Sequence, residues 1–353
     1  MTDTLSIEIK RTTSSRLHEV DLDTLKFGQT FADHMLMADY ADGKWGKVQI
    51  LPYGPLELSP ATAALHYGQT CFEGMKAYRL ANGQVVVWRP EKNCKRLQRS
   101  AERLCIPPVP EEIFMGGLRE LLLLDEAWVP NRPGYSLYIR PFLFATDPFV
   151  GVRPSDTYKF MIFCSVAGLY YAQPLKVRIE PHYTRAAKGG TGAAKAGGNY
   201  GGAYYPTALA QQEGFQQVIW TDAQEHRFIE EAGTMNIIFI LDGKVVTSPL
   251  SDTILDGVTR DSVLTLAREA GMAVEERPVS VEELRDAIQA GKLNDAFGVG
   301  TAATFAPIKE LEIYGINYVL PDSSAQALSL KKQMEDIRQG LVPDTHGWLH
   351  PIV

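Results

Sequence analysis

Residues 186–202 read AAKGGTGAAKAGGNYGG, with two lysines and seven glycines in one short run. Glycine lets a backbone approach another group closely, but it costs about 0.5–1 kcal/mol relative to alanine where ordinary structure would serve. Neither common phosphate fingerprint fits. From Gly190 the GxGxxG pattern meets Lys195 where its last glycine should stand, and from Gly192 the GxxxxGK[ST] pattern meets Gly198 instead of lysine. What remains is Lys195 among small residues that give a bulky group access to its amine. A partly desolvated lysine attacks carbonyls. A flexible surface linker is the plain alternative reading of so much glycine.

Outward from this stretch the chain alternates strands and helices without strict βαβ order. AYRLANGQVVVWR is a hairpin turned at Asn82-Gly83, and NIIFILDGKVVTSP another turned at Asp242-Gly243. Cys94, Leu97, Ala101 and Leu104 recur at helical spacing, which predicts a helix over 91–104. A second helix is expected over EEIFMGGLRELLLLDEA, then the strands SLYIRPFLFA and KFMIFCSVAG. Beyond SVAGLYYAQP, which reads as a crossing between domains, come the strands LKVRIEP and QQVIWTD. TRDSVLTLAREAG is a helix stopped by Gly271, and SVEELRDAIQAG carries a capping box from Ser280 to Glu283. The N-terminal stretch reads as polar. These elements predict two domains of mixed α/β or α+β type: a small one over 1–164, a loop over 165–178 and a large one over 179–353.

The chain has 353 residues, 45% hydrophobic and 22% charged, which is ordinary for a globular protein. Its net charge of -7 argues against nucleic acid as a partner, since phosphate contacts need a basic face. No apolar run is long enough to span a membrane, and MTDTLSIEIKRTTSSRL lacks the apolar centre of a secretory signal, so a cytoplasmic location is expected. Cys71, Cys94, Cys105 and Cys164 form no CxxC pair and read as reduced thiols. No metal site is expected.

Five pieces stand in one order: LHYGQTCFEGMKAYR, YIRPFLF, AAKAGGNYGG, EEAGTMN followed by ILDGVTRD, and GVGTAA. Together they resemble the branched-chain amino acid aminotransferases, pyridoxal 5'-phosphate enzymes of the two-domain type IV fold shared with D-amino acid aminotransferases. The resemblance runs from about Phe27 to about Pro307.

It implies that Lys195 holds the cofactor aldehyde as an internal Schiff base and then serves as the base that moves the Cα proton. Lys188 falls outside the matched position and reads as a solvated residue. Tyr200 matches the tyrosine that donates to the ring oxygen, and Glu231 the carboxylate facing the pyridine nitrogen. Glu230 should point to the opposite side of an extended segment and reads as a surface charge. For the phosphate, the resemblance implies the amides of Val258 and Thr259 at a helix start, with Thr301 and Arg96. Phe27, Phe72, Tyr138 and Tyr170 match positions lining the substrate pocket, Tyr67 one contributed by a partner subunit, and Arg140 an arginine linked to the dicarboxylate substrate. Thr234 and Ala302 complete the substrate set, Ala302 through its backbone. Ala303 and Ala306 stand where some animal members carry a CxxC pair, so thiol-based control is not expected.

The activity implied is reversible amino transfer from L-leucine, L-isoleucine or L-valine to 2-oxoglutarate, by a homodimer or larger assembly with no nucleic-acid or membrane partner. Another type IV enzyme, such as a D-amino acid transaminase or aminodeoxychorismate lyase, and a non-catalytic cofactor-binding protein are the readings left beside it.

Overall fold

The computed structural model describes residues 5–168 and 173–352. The chain folds as two compact units, one of Met1–Tyr170, Ala194–Gly198 and Arg338–Val353, the other of Tyr171–Ala193 and Asn199–Ile337.

The first unit contains β1 (Ile7–Ile9), β2 (Phe31–Ala41), β3 (Lys44–Pro52), α1 (Ala63–Tyr67), β4 (Thr70–Phe72), β5 (Met75–Arg79) and β6 (Val85–Trp88). It continues with α2 (Pro90–Arg103), α3 (Glu111–Leu124), β7 (Ser136–Ala145) and β8 (Tyr158–Ala167). The second unit contains β9 (Leu175–Ile179), α4 (Gly198–Gln212), β10 (Gln217–Thr221), β11 (Ile229–Ala232), β12 (Met235–Leu241), β13 (Lys244–Thr247) and α5 (Val258–Glu269). After these come β14 (Val274–Glu276), α6 (Val281–Gln289), β15 (Leu293–Gly300), β16 (Thr304–Ile313), β17 (Ile316–Val319) and α7 (Ala325–Arg338), before β18 (Leu349–Pro351) returns to the first unit.

In the first unit the strands run in the order β1-β3-β2-β8-β7-β5-β6-β18, with β4 beside β7. Helices α2 and α3 close its core, where Leu97, Phe114, Leu118 and Leu122 meet Leu36, Ile50, Met75 and Val85. Each such buried side chain contributes about 1.5–3 kcal/mol.

The longest strand, β2, lies in the stretch that reads as polar. Asp42 and Gly43, at φ 52° and 75°, turn it into β3, and both its faces are largely covered. Alternation is weak when both faces are buried. The segment expected as a loop over 165–178 is strand at both ends, because β8 pairs with β7 as far as Ala167 and β9 begins at Leu175. The C-terminal tail, expected in the large domain, belongs to the first unit. Leu349–Pro351 pair with β6, and the Arg89 guanidinium lies 4.7 Å from the Trp348 ring centre.

The second unit is built on the order β11-β10-β9-β16-β15-β12-β13-β14, with β17 on β16. Because β11 pairs with both β10 and β12, six of these strands close into a ring. The short strand β11 is its closing staple, and it carries Glu231. The predicted stop Gly271 is a left-handed glycine at φ 72°, Gly291 after α6 is another at φ 67°, and the Ser280 hydroxyl accepts from the Glu283 amide at 3.0 Å.

Candidate active site

Lys195 lies on a strap of chain, Ala194–Gly198, that belongs to the first unit although its flanks belong to the second. Its amide donates to Ser100 Oγ at 3.0 Å, and its carbonyl accepts from the Phe72 amide at 3.1 Å. Gly197 donates to the Thr70 carbonyl at 2.9 Å, so the strap runs along β4 like an added strand. A Cβ at Gly197 would lie 2.7 Å from Thr70 Cγ2, which is one reason for the glycine. The loop that carries the strap is clasped at its ends. Thr191 Oγ1 donates to Asn199 Oδ1 at 2.7 Å, and Asn199 Nδ2 to the Thr191 carbonyl at 2.8 Å. Lys188 is exposed, as expected of a solvated residue.

Five of the sequence-derived residues meet in the first unit. Lys195 Nζ stands 4.9 Å from the Phe72 ring centre and the Arg140 guanidinium 4.6 Å from it. Arg140 Nη2 donates to the Tyr138 hydroxyl at 3.1 Å, and Phe27 packs edge-on against Tyr138 at 5.0 Å. Arg140 Nε is buried with no hydrogen-bond partner. Tyr67 is apart from this group, 43% exposed at the end of α1. Tyr170 lies outside the described residues.

Arg96 does not face solvent. Its Nε and Nη2 donate to the two oxygens of Glu73 at 2.7 and 2.8 Å, both side chains buried, while Asn93 adds a bond of 2.7 Å. Burial pushes the Glu73 carboxyl up, but Arg96, Lys195 and Asn93 outweigh it and hold it below the ordinary range.

The second unit supplies a different chemistry. Glu231 is buried, and its Oε1 accepts from the Leu255 amide at 2.7 Å and from Asn236 Nδ2 at 3.3 Å. Arg185 Nε lies 3.2 Å from its Oε2. Helix α5 starts at Val258 after Gly257 with no capping side chain, which leaves the amides of Val258 and Thr259 to an anion. Thr301 and Ala302 stand in the tight turn between β15 and β16, and Thr234 is exposed in the two-residue turn between β11 and β12. Tyr200 is half-buried in the first turn of α4.

Glu230 is not a surface charge. Alternation does send it away from Glu231, but both faces of β11 are covered and Glu230 is 8% exposed. Burial pushes its carboxyl up to about 7.

Three functional neighbours escape the sequence reading. Glu73 and Asn236 sit inside motifs, FEG and GTMN, whose other members drew attention; Arg185 has no local signal at all.

The family model for amino-transferase class IV matches residues 70–311. Branched-chain-amino-acid aminotransferase 2 of Bacillus subtilis (strain 168) is 43% identical over 353 residues, covering 98% of this chain and 96% of that protein. The branched-chain-amino-acid aminotransferase of Mycolicibacterium smegmatis is 44% identical over 334 residues, covering 92% and 91%. Among solved structures, the branched-chain amino acid aminotransferase of Escherichia coli superposes with a TM-score of 0.75 at 26% identity, covering 91% of this chain and 99% of that one. On sequence match and shared fold together, the chain belongs to the class IV aminotransferases.

Proposed function

We propose that this enzyme transfers the amino group of L-leucine, L-isoleucine or L-valine to 2-oxoglutarate, reversibly, with pyridoxal 5'-phosphate as its cofactor. The relatives described above are named branched-chain-amino-acid aminotransferases, and another branched-chain amino acid aminotransferase, 25% identical, was solved with pyridoxamine 5'-phosphate. The residues present fit the group: an amine, a fixed buried carboxylate and an uncapped helix start answer an aldehyde, a ring nitrogen and a phosphate.

When bound, the cofactor supplies an aromatic aldehyde and a sink for the electrons of the Cα carbanion. Lys195 Nζ holds that aldehyde and, as a free amine, carries the proton taken from substrate Cα. Glu231 would keep a proton on the ring nitrogen, Tyr200 would donate to the ring oxygen, and Val258, Thr259, Thr301 and Arg96 would hold the phosphate. Phe27, Phe72 and Tyr138 enclose an aliphatic side chain, with Thr234 and Ala302 on the substrate carboxylate. Arg140, with its unused Nε, takes the second carboxylate of 2-oxoglutarate.

A homodimer belongs to the same reading. Leu65, Tyr67, Phe149, Val150 and Val152 are exposed apolar residues, and a bridge between Thr62 and Pro148 brings α1 to the loop that carries the last three. A second copy would cover that surface and bring Tyr67 to the neighbouring site. A cytoplasmic location is part of this proposal.

The observation that carries the reading is the two-sided hold on the Lys195 backbone by Ser100 and Phe72, which sets where its side chain starts in a loop otherwise rich in small residues. Borohydride reduction of the protein with pyridoxal phosphate, followed by peptide mapping, should place the label on Lys195, and L-leucine with 2-oxoglutarate should yield glutamate. A label elsewhere, or turnover of D-alanine or aminodeoxychorismate alone, would overturn it.

A further inference from the structure

Glu230 is a buried acid to which transamination gives no task. Its Oε2 is buried with no hydrogen-bond partner. Thr253 and Arg185 favour its charged form, and Glu231 and Asp222 are the like charges near it.

Arg185 is the cation addressed by both neighbouring acids. Its Nε lies 3.2 Å from Glu231 Oε2, with the two side chains 9% and 4% exposed. Its Nη2 donates to the Gly192 carbonyl at 3.2 Å and to the Thr253 carbonyl. One guanidinium therefore ties the acid on β11 to the chain that leads into the Lys195 strap. One guanidinium carries a single positive charge, so it offsets only one of two buried carboxylate charges, and an unpaired buried charge is costly. Burial, the largest influence on Glu230, outweighs Thr253 and Arg185 and sets its proton loss near neutrality.

We propose that Glu230 is a proton-controlled positioning residue for Glu231: uncharged, it leaves Arg185 to Glu231 and the Gly192 carbonyl, and charged, it draws Arg185 away from both. The positioning role rests on the reading that Glu231 serves the cofactor nitrogen; the titration does not.

The test begins on the cofactor-free protein, with thermal melts of wild type and E230Q from pH 5 to 8.5. An acid whose folded pKa is raised binds more protons folded than unfolded between its two pKa values, so wild type loses stability as pH rises through that window and E230Q does not. The melting-temperature gap in favour of E230Q should widen by about 5 °C up to neutrality and then level off. A gap independent of pH overturns the titration. In an R185M background the widening should extend to higher pH, since the attracting cation is gone, and an unchanged profile overturns the coupling. R185Q, which also removes the charge, serves if R185M fails to fold. On the loaded enzyme, wild-type kcat should fall by about 3–10-fold across the same window while E230Q shows no inflection there. Coincident kcat profiles with divergent melts would overturn the positioning role. Mislabelling in the borohydride experiment would sink the transamination reading while leaving the melts as they are.

Discussion

The Lys195 amine stands over the Phe72 ring, 4.9 Å from its centre, and the same residue's amide holds the Lys195 carbonyl. Phe72 thus acts on the lysine twice, once through its backbone and once through its ring. F72L keeps the amide and removes the ring. A cation over an aromatic face is worth about 0.5–2 kcal/mol depending on desolvation, so kcat/KM should drop by about 3–30-fold with the borohydride label still on Lys195. K195A should lose the label and at least about 100-fold in kcat. Steady-state kinetics with L-leucine separates the two.

The Glu73 and Arg96 pair sits in the first unit with both ends buried and a third donor from Asn93. Breaking such a pair leaves an uncompensated charge, so E73Q should cost about 3–5 kcal/mol, while the double variant E73Q/R96M should recover part of that loss. The pH dependence has a definite sign. A carboxyl held below its unfolded value contributes stability that is present above about pH 4.3 and is lost as pH falls through the folded pKa. Urea denaturation should therefore show the gap between wild type and E73Q shrinking below about pH 4.

Much of this architecture is legible in the sequence because particular residues leave local marks. Asp242-Gly243 and Asn82-Gly83 announce their hairpins, and Ser280 with Glu283 announces a helix start; each is a short-range geometry set by the residues themselves. Lys195, Phe72, Tyr138, Arg140 and Phe27 do converge in one unit. What stays hidden depends on long-range packing. Strand β2 carries no alternation because both sides are covered, and Trp348 joins the first unit through Arg89, a partner far away in the chain. Glu230 defeats the alternation rule for the same reason: facing away from Glu231 does not mean facing water when both sides of β11 are covered. Arg185 is visible only once Gly192, Thr253 and Glu231 are brought around it.

Gly74 sets how near Tyr138 comes to β5. A Cβ there would lie 2.2 Å from the Tyr138 hydroxyl, which also accepts from Arg140. G74A must push the phenol aside and with it the guanidinium that the proposed function assigns to the dicarboxylate. KM for 2-oxoglutarate should rise by about 5–30-fold, an overpacking cost of about 1–2 kcal/mol, with a smaller change for L-leucine. Equal changes for both substrates would show that the displacement does not act through Arg140.

Gly257 is the counterpart in the second unit, where the start of α5 comes against the residue that fixes Glu231. A Cβ would lie 1.9 Å from Asn236 Oδ1, while Asn236 Nδ2 holds Glu231 Oε1 and the Leu255 carbonyl. Alanine at 257 cannot fit unless either Asn236 or the first turn of α5 moves, and the proposed function uses both. Titrating cofactor-free G257A with pyridoxal phosphate should therefore show affinity lower by about tenfold or more, matching an overpacking cost of about 1–3 kcal/mol. G202A is the control, since that exposed helical glycine has open space where its Cβ would go and should gain about 0.5–1 kcal/mol of stability with cofactor affinity intact. Wild-type affinity in G257A would mean that the start of α5 does not hold the phosphate, which would then have to rest on Thr301 and Arg96.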